Sequence, residues 1–552
     1  MRFTAFITAV IAFFTFLLSA TENLFNGIST AEITVDVTET GAEVPNIVDN
    51  INLWDMGNTF IGAERNEKYD VFEFVRYVQL MQCTGGTADR DLFVDPYDTS
   101  TMTDYKFDKL IENCRGIVEI GAKPHLKLGG VPIKFTSGYE MGGFDMNVYP
   151  PDDYNEYYAY IKAIAQALCD EFGVKEVKTW RFGCMTEYEN EAWFKAKSGD
   201  PQESAEAYCK LYDYTVQALI DVIGEDVFVG AHSMTVTEGL WDEEIFIRHV
   251  AEGTNYANGK KGTRICFLSA SFYDSCPGKF TKGYTLPETI GYLKNTAEKY
   301  GLNNLIYGID EGRLLCGVTR GADTDELLNR TTGYTWQAAY DARLFTQAIT
   351  SGADYFSSWN FLTNGILDGY PIISCHVAEN IAKFEGCKIL SADTKELKTG
   401  LKVEIGNLCA VDEETGTIRA LVYNFKNKLD YKGKADISLM IPAEDGKTYK
   451  VTQYLVNDDC NFFDEWQEDR RTYGIGDDCF GWSPDDPMLD NSVTLTDPEA
   501  REIYTTKLRD KYEENSVLIP TEAEVTAAEG VITLDVILEA GNVVFYEITE
   551  CP

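Results

Sequence analysis

The chain has 552 residues, a net charge of −41 at neutral pH and 44% hydrophobic residues. That length exceeds one ordinary domain and leaves room for a complete (β/α)8 barrel of about 250 residues or more beside a further unit. The acidity disfavours nucleic acid and anionic membranes as partners. Residues 1–20, MRFTAFITAVIAFFTFLLSA, place one basic residue before a long apolar run ending in Ser19 and Ala20. This has the form of a secretory signal peptide; a retained anchor is the alternative, since the run approaches spanning length. The expectation is cleavage and a secreted, extracellular protein, with no membrane contact in the mature form.

Residues 31–38 alternate apolar and polar side chains like a half-buried strand. From 45 to 388, short β-prone runs alternate with stretches of helical period, the pattern of βα units around a parallel sheet. The runs are 51–53, 77–82, 124–128, 179–182, 227–229, 265–268, 305–309 and 355–359. Eight is the number a closed (β/α)8 TIM barrel requires. The helical stretches include 154–172 and 205–223. Residues 390–552 read differently, with alternating β-prone runs at 417–424, 435–441, 448–456 and 531–538 separated by Gly, Asp and Asn turns. This predicts a C-terminal β-sandwich domain, which strand 31–38 can join. The acidic stretch 457–490 reads as a long loop without the fixed spacing of a calcium-binding loop.

The 14 cysteines have irregular spacing. Cys266 with Cys276 and Cys460 with Cys479 are conceivable bridges, but sequence alone does not pair them. Only four histidines occur, His125, His232, His249 and His376, so no metal centre is expected.

Two segments carry chemistry. WRFGCMTE (180–187) and LIYGIDE (305–311) each place a glutamate, Glu187 and Glu311, just past a β-prone run. The C-terminal ends of barrel strands are where such folds place their chemistry. Two carboxyls converging there suit glycoside hydrolysis, with Glu187 as acid/base and Glu311 as nucleophile. Glu189, Glu191 and Asp310 are neighbouring competitors. Trp54 and Trp359 end strands at the same mouth. There Trp359 offers a stacking floor for a sugar, or simply core packing. His125 lies within a strand and reads either as a substrate contact or as a hydrogen-bonded core histidine. Cys184 lacks a sequence-adjacent base for nucleophilic work.

The order of several motifs resembles glycoside hydrolase family 39, which includes β-xylosidases and α-L-iduronidases and belongs to a clan of retaining (β/α)8 hydrolases. The matching segments are NLWDMG (52–57), EIGAKPHLKLGGVP (119–132), FGVKEVKTWRF (172–182), FLSASFY (267–273) and YLVNDDCN (454–461) with Trp466. The resemblance implies an exo-acting retaining glycosidase on plant or microbial glycan fragments, using Glu187 and Glu311 and no cofactor. An endo-glycanase on the same barrel and an inactive carbohydrate-binding protein are the alternatives. The resemblance also implies that Tyr273 hydrogen-bonds the nucleophile. Thr186 stands where the clan has an asparagine contacting the sugar 2-hydroxyl. Three further positions depart from the pattern. LMQCTG (80–85) replaces an Arg-x-His-Gly segment, Ser271 replaces a histidine, and Gly312 replaces a tryptophan.

Overall fold

The computed structural model describes residues 27–53, 73–87, 91–142, 145–237, 239–274, 283–314, 333–359, 371–398, 403–428, 430–481, 494–495 and 497–552. The signal-like segment 1–20 and Trp54 lie outside them. After β1 (Ile28–Glu43), eight parallel strands follow: β2 (Asn50–Leu53), β3 (Tyr77–Leu80), β4 (Lys123–Leu128), β5 (Arg181–Cys184), β6 (Val229–Ser233), β7 (Phe267–Asp274), β8 (Ile306–Leu314) and β9 (Tyr355–Trp359). They close into a barrel, with β2 bonded to both β3 and β9. Helices Asp108–Glu119, Tyr154–Phe172, Pro201–Ile223, Glu244–Glu252, Leu286–Lys299, Trp336–Ser351 and Ile373–Ala382 alternate with the strands. Their starts are locally encoded. Asp153 and Asp200 accept backbone N–H groups at two N-termini, and Thr285 with Glu288 forms a reciprocal capping box at a third.

Every predicted barrel run overlaps an observed strand, but β5, β6, β7 and β8 extend further toward the C-terminal mouth than the apolar runs do. The extra residues include buried polar ones, among them Ser269, Ser271, Asp310 and Glu311. Large inward side chains are matched by glycines. A Cβ on Gly230 would lie 2.4 Å from the Phe267 ring, and one on Gly308 would lie 2.4 Å from the Tyr355 ring.

The remaining strands are β10 (Lys388–Lys398), β11 (Glu404–Val411), β12 (Ile418–Phe425), β13 (Lys434–Pro442), β14 (Thr448–Val456), the short pair β15 (Phe480–Gly481) and β16 (Thr494–Leu495), β17 (Thr521–Thr526), β18 (Val531–Leu538) and β19 (Val543–Glu550). Nine strands form one mostly antiparallel sheet in the order β17-β14-β19-β12-β11-β10-β1-β13-β18. β1 lies antiparallel to β10 and parallel to β13, so the strand preceding the barrel completes the C-terminal sheet. Side chains from both ends of this order, Val451 and Leu534, share one core with central Ile33 and Val422. The sheet therefore folds over itself as a sandwich.

Both faces of its middle strands are buried, with period two. Ala420 and Val422 of β12 face the sandwich core, whereas Leu421, Tyr423 and Phe425 pack into the barrel's core. Helix Trp336–Ser351 makes the junction, with Trp336 Nε1 donating to Lys426 O at 2.8 Å and Arg343 Nε to Glu404 Oε2 at 2.7 Å.

The predicted long acidic loop is different in the structure. In its described part, 457–481, Phe463–Tyr473 is an α-helix; helical turns at Pro498–Ile503 and Arg509–Asn515 lie beyond the stretch, and 482–490 are outside the described residues. Phe462, Phe463, Trp466 and Tyr512 are buried in the same core as the barrel. The charge density of this stretch masked an apolar face wide enough to dock it. Cys460 and Cys479 are not joined in a disulfide. Cys460 Sγ instead contacts Asn457 O at 3.3 Å. Cys276, the other predicted partner of Cys266, lies outside the described residues.

Candidate active site

Glu187 stands three residues beyond β5, on a sharply kinked segment. The Leu128 carbonyl accepts the Met185 N–H at 3.0 Å, and Tyr208 Oη donates to Cys184 O at 3.0 Å. Met185 and Glu187 have φ of 62° and 42°. Left-handed backbone at non-glycine residues costs of order 1 kcal/mol or more each and persists only where surrounding contacts enforce it. The kink turns the Glu187 carboxyl inward, where it is 7% exposed. Trp193 Nε1 donates to its Oε2 at 2.9 Å and Asn190 Nδ2 to the same oxygen at 3.2 Å.

Glu311 lies within β8, not past its end. The pairing of β7 with β8 runs Ala270 to Ile309 and then Ser271 to Glu311, so Asp310 is an extra residue in the ladder. Such a bulge lets consecutive side chains point to one side of a strand. Asp310 enters the barrel and Glu311 meets Tyr273, whose Oη donates to Glu311 Oε1 at 2.6 Å. Glu311 is 7% exposed.

Asp310 anchors the bulge. Its carboxylate pairs with Lys127 Nζ and accepts from Ser269 Oγ at 2.6 Å, Tyr355 Oη at 2.5 Å and Gln79 Nε2 at 3.3 Å. Asn52 Nδ2 donates to its carbonyl at 2.9 Å. Burial opposes the charge on Asp310, but the cation of Lys127 and its hydrogen bond outweigh it. The carboxyl is thereby held well below the usual range. Burial pushes both histidines far down, so they are neutral imidazoles.

The predicted site residues separate into groups. Thr186 and Tyr273 lie with the two glutamates at the barrel mouth, while Trp359 is placed by its backbone as the last residue of β9. His125, which from sequence reads either as a sugar contact or as a core histidine, has the surroundings of a core residue. It is fully buried, shares a 3.2 Å contact with Asn50 Nδ2 and packs edge-on against Phe267 and Tyr355. Of the competitors, Asp310 is consumed by Lys127. Glu189 is fully buried, and burial together with the neighbouring Glu243 raises its carboxyl well above the usual range. Cys184 is buried and its thiol pushed up to about 12, which removes it as a nucleophile.

Sequence reading missed Asn190, Trp193, Lys127 and His232. The first two follow Glu187 by three and six residues, a spacing that returns a turn to its start. Nothing local marks the others, because they act across strands. The departure at Gly312 has a steric reason: a Cβ there would lie 2.6 Å from the Phe356 ring. Among the described residues, no cluster of three or more His, Cys, Asp or Glu side chains is arranged to hold a metal ion.

Comparison with known proteins identifies the family and the fold. The model of "Glycosyl hydrolases family 39" matches residues 88–363. A β-xylosidase of Geobacillus stearothermophilus is 23% identical over 375 residues, covering 64% of this chain and 68% of that protein. One of Caldicellulosiruptor saccharolyticus is 26% identical over 155 residues, 28% of this chain and 29% of that protein's length. Among solved structures, a family 39 enzyme of Xanthomonas axonopodis pv. citri superposes with a TM-score of 0.63 at 15% identity, over 95% of this chain and 98% of that one. A monomeric β-xylosidase of Caulobacter crescentus gives 0.63 at 14% identity, over 94% and 100%. These structures share the fold.

Proposed function

The chain belongs to glycosyl hydrolases family 39 and is an O-glycoside hydrolase acting on carbohydrate, and from that premise we propose that it is a retaining, exo-acting, β-xylosidase-like enzyme working through Glu187 and Glu311. The observation that carries the reading is the pair of glutamates enclosed at one barrel mouth, each oriented by aromatic donors, Trp193 on one and Tyr273 on the other.

In this mechanism Glu311 attacks the anomeric carbon while Glu187 gives its proton to the departing glycosidic oxygen. Glu187 then takes a proton from water, which releases the sugar from Glu311. Tyr273 fixes the rotamer of the nucleophile through its hydrogen bond. Asp310, tied by four side chains, keeps the bulge from relaxing and so holds Glu311 in line. Trp193 and Asn190 aim the acid/base. Thr186 stands beside it as a hydroxyl contact for the sugar, and Trp359 and Trp54 are assigned to the sugar as stacking partners. Residues 1–20 direct secretion in this reading. A mature N-terminus beginning near residue 21 in the protein recovered from culture medium supports that. An intact Met1 in membrane fractions goes against it.

The test is release of phenol from aryl glycosides (β-xyloside, β-galactoside, β-glucoside, α-arabinosides, α-iduronide) by the wild type and by Glu311→Ala with azide. The expected result is turnover of a β-xyloside, a loss of several orders of magnitude in the variant, and rescue by azide with an inverted glycosyl azide. Undiminished turnover in Glu311→Ala would sink the assignment.

A further inference from the structure

Thr186 sits between the two left-handed residues that aim Glu187. Its hydroxyl is tied to a single imidazole, with His232 Nδ1 2.9 Å from Thr186 Oγ1. His232 lies on β6, between β5 and β7, and its Nε2 is 2.9 Å from Ser271 Oγ. The ring is fully buried, Ser271 is 2% exposed and Thr186 5%. Asp310 Oδ2 lies 3.6 Å from the same Nδ1. A carboxylate on that side favours the tautomer with hydrogen on Nδ1. Nδ1–H then donates to Thr186 Oγ1, and Ser271 Oγ–H donates to Nε2. One neutral ring thus joins the kink after β5, the mouth end of β7 and the buried carboxylate of the β8 bulge.

We propose that His232 is the positioning residue of the acid/base: through Thr186 it locks the Met185–Glu187 kink and so fixes the direction of the Glu187 carboxyl. Thr186 and Ser271 occupy the two positions where the family pattern has a longer side chain, and His232 spans the distance their short hydroxyls leave. The imidazole needs no charge for this. The inference rests on the reading of Glu187 as acid/base, and the test keeps the two apart.

The experiment compares kcat/KM for two glycosides of the sugar selected in the panel above. One is the 2,4-dinitrophenyl glycoside, whose leaving group departs without a proton. The other is the methyl glycoside, whose leaving group needs one. His232→Leu is expected to lower kcat/KM on the methyl glycoside by about 10- to 100-fold, the size of effect a misaimed catalytic group produces. The dinitrophenyl value stays close to wild type. His232→Gln, which keeps a donor and an acceptor, recovers part of the loss. Ser271→Ala, which removes the far partner of the imidazole and leaves Thr186 in place, is expected to give a weaker loss of the same selectivity and serves where His232→Leu does not fold. Equal losses on both substrates, or none on either, would overturn the proposal. Glu187→Ala is the control. If it too loses both substrates equally, Glu187 is not the acid/base, and the inference falls with the proposed function and not through His232.

Discussion

The two buried interiors of this protein are built on opposite rules. The sandwich core is uncharged and mostly aliphatic, with Ile33, Val422, Ile437, Leu439 and Val544 meeting between the folded halves of the sheet. The barrel interior is ionic and hydrogen-bonded, with Lys127, Asp310, His232, His125 and Gln79 all 1% exposed or less. Burying charge is costly even when it is paired, and apolar packing of the same volume is usually at least as stable. A chain that builds one core without charge and another around an ion pair is holding the second for something other than stability. The ion pair stands directly beneath Glu311, on the bulge that points it inward.

The largest effect that can break this contrast is expected at Lys127. Lys127→Met leaves Asp310 buried without its cation, which should cost about 3–5 kcal/mol, read as a lower urea midpoint. Lys127→Met with Asp310→Leu should recover most of that stability, because both charges are gone. Glycosidase turnover should stay lost, because the β8 bulge then has no anchor. A double variant that regains turnover would reduce the polar interior to packing.

The matching change in the other core is Ile437→Ala. Truncating a fully buried isoleucine costs about 2–5 kcal/mol. Well below the melting temperature, kcat should match the wild type, since Ile437 reaches the site through no hydrogen bond. A fall in kcat as large as that at Lys127 would show the sheet coupled to catalysis.

The same contrast decides what could be read from the sequence. Sandwich strands β12, β13, β14 and β18 were legible because alternation of apolar and polar residues is a local signal, visible in 435–441 without knowledge of any partner; β10, β11, β17 and β19 were not singled out. The barrel strands were located but cut short, because enclosed polar residues such as Ser269 and Asp310 look like loop. Glu187 and Glu311 were accessible through their position after β-prone runs and through the motifs around them. The bulge that aims Glu311 was not, because it exists only as a mismatch between β7 and β8. His125 was ambiguous because a buried histidine and a binding histidine have the same letter; only Asn50, Phe267 and Tyr355 around it separate them. The helix at Phe463–Tyr473 was hidden by its own charge.

The smallest effect at neutral pH, but one with a distinctive pH dependence, lies at Glu189. Burial first, and then the neighbouring Glu243, hold its carboxyl protonated above the ordinary glutamate range in the fold. In the unfolded chain it titrates normally. Between those two values the folded state binds the extra proton, so stability falls as pH rises. The contribution is complete below the ordinary glutamate value and is lost as pH climbs toward the raised one. Glu189→Gln carries a permanent neutral group in that place. It should leave stability at low pH nearly unchanged and flatten the decline above it, in urea midpoints taken across the pH range. Glu522 on β17 is the control from the other unit. Its bridge to Lys450 at 2.7 Å is solvent-exposed, and such pairs contribute little, so Glu522→Gln should move neither the level nor the slope. A Glu189→Gln variant that keeps the wild-type slope would mean that the segment after β5 tolerates an ionised Glu189, and that the barrel mouth is less enclosed than its geometry requires.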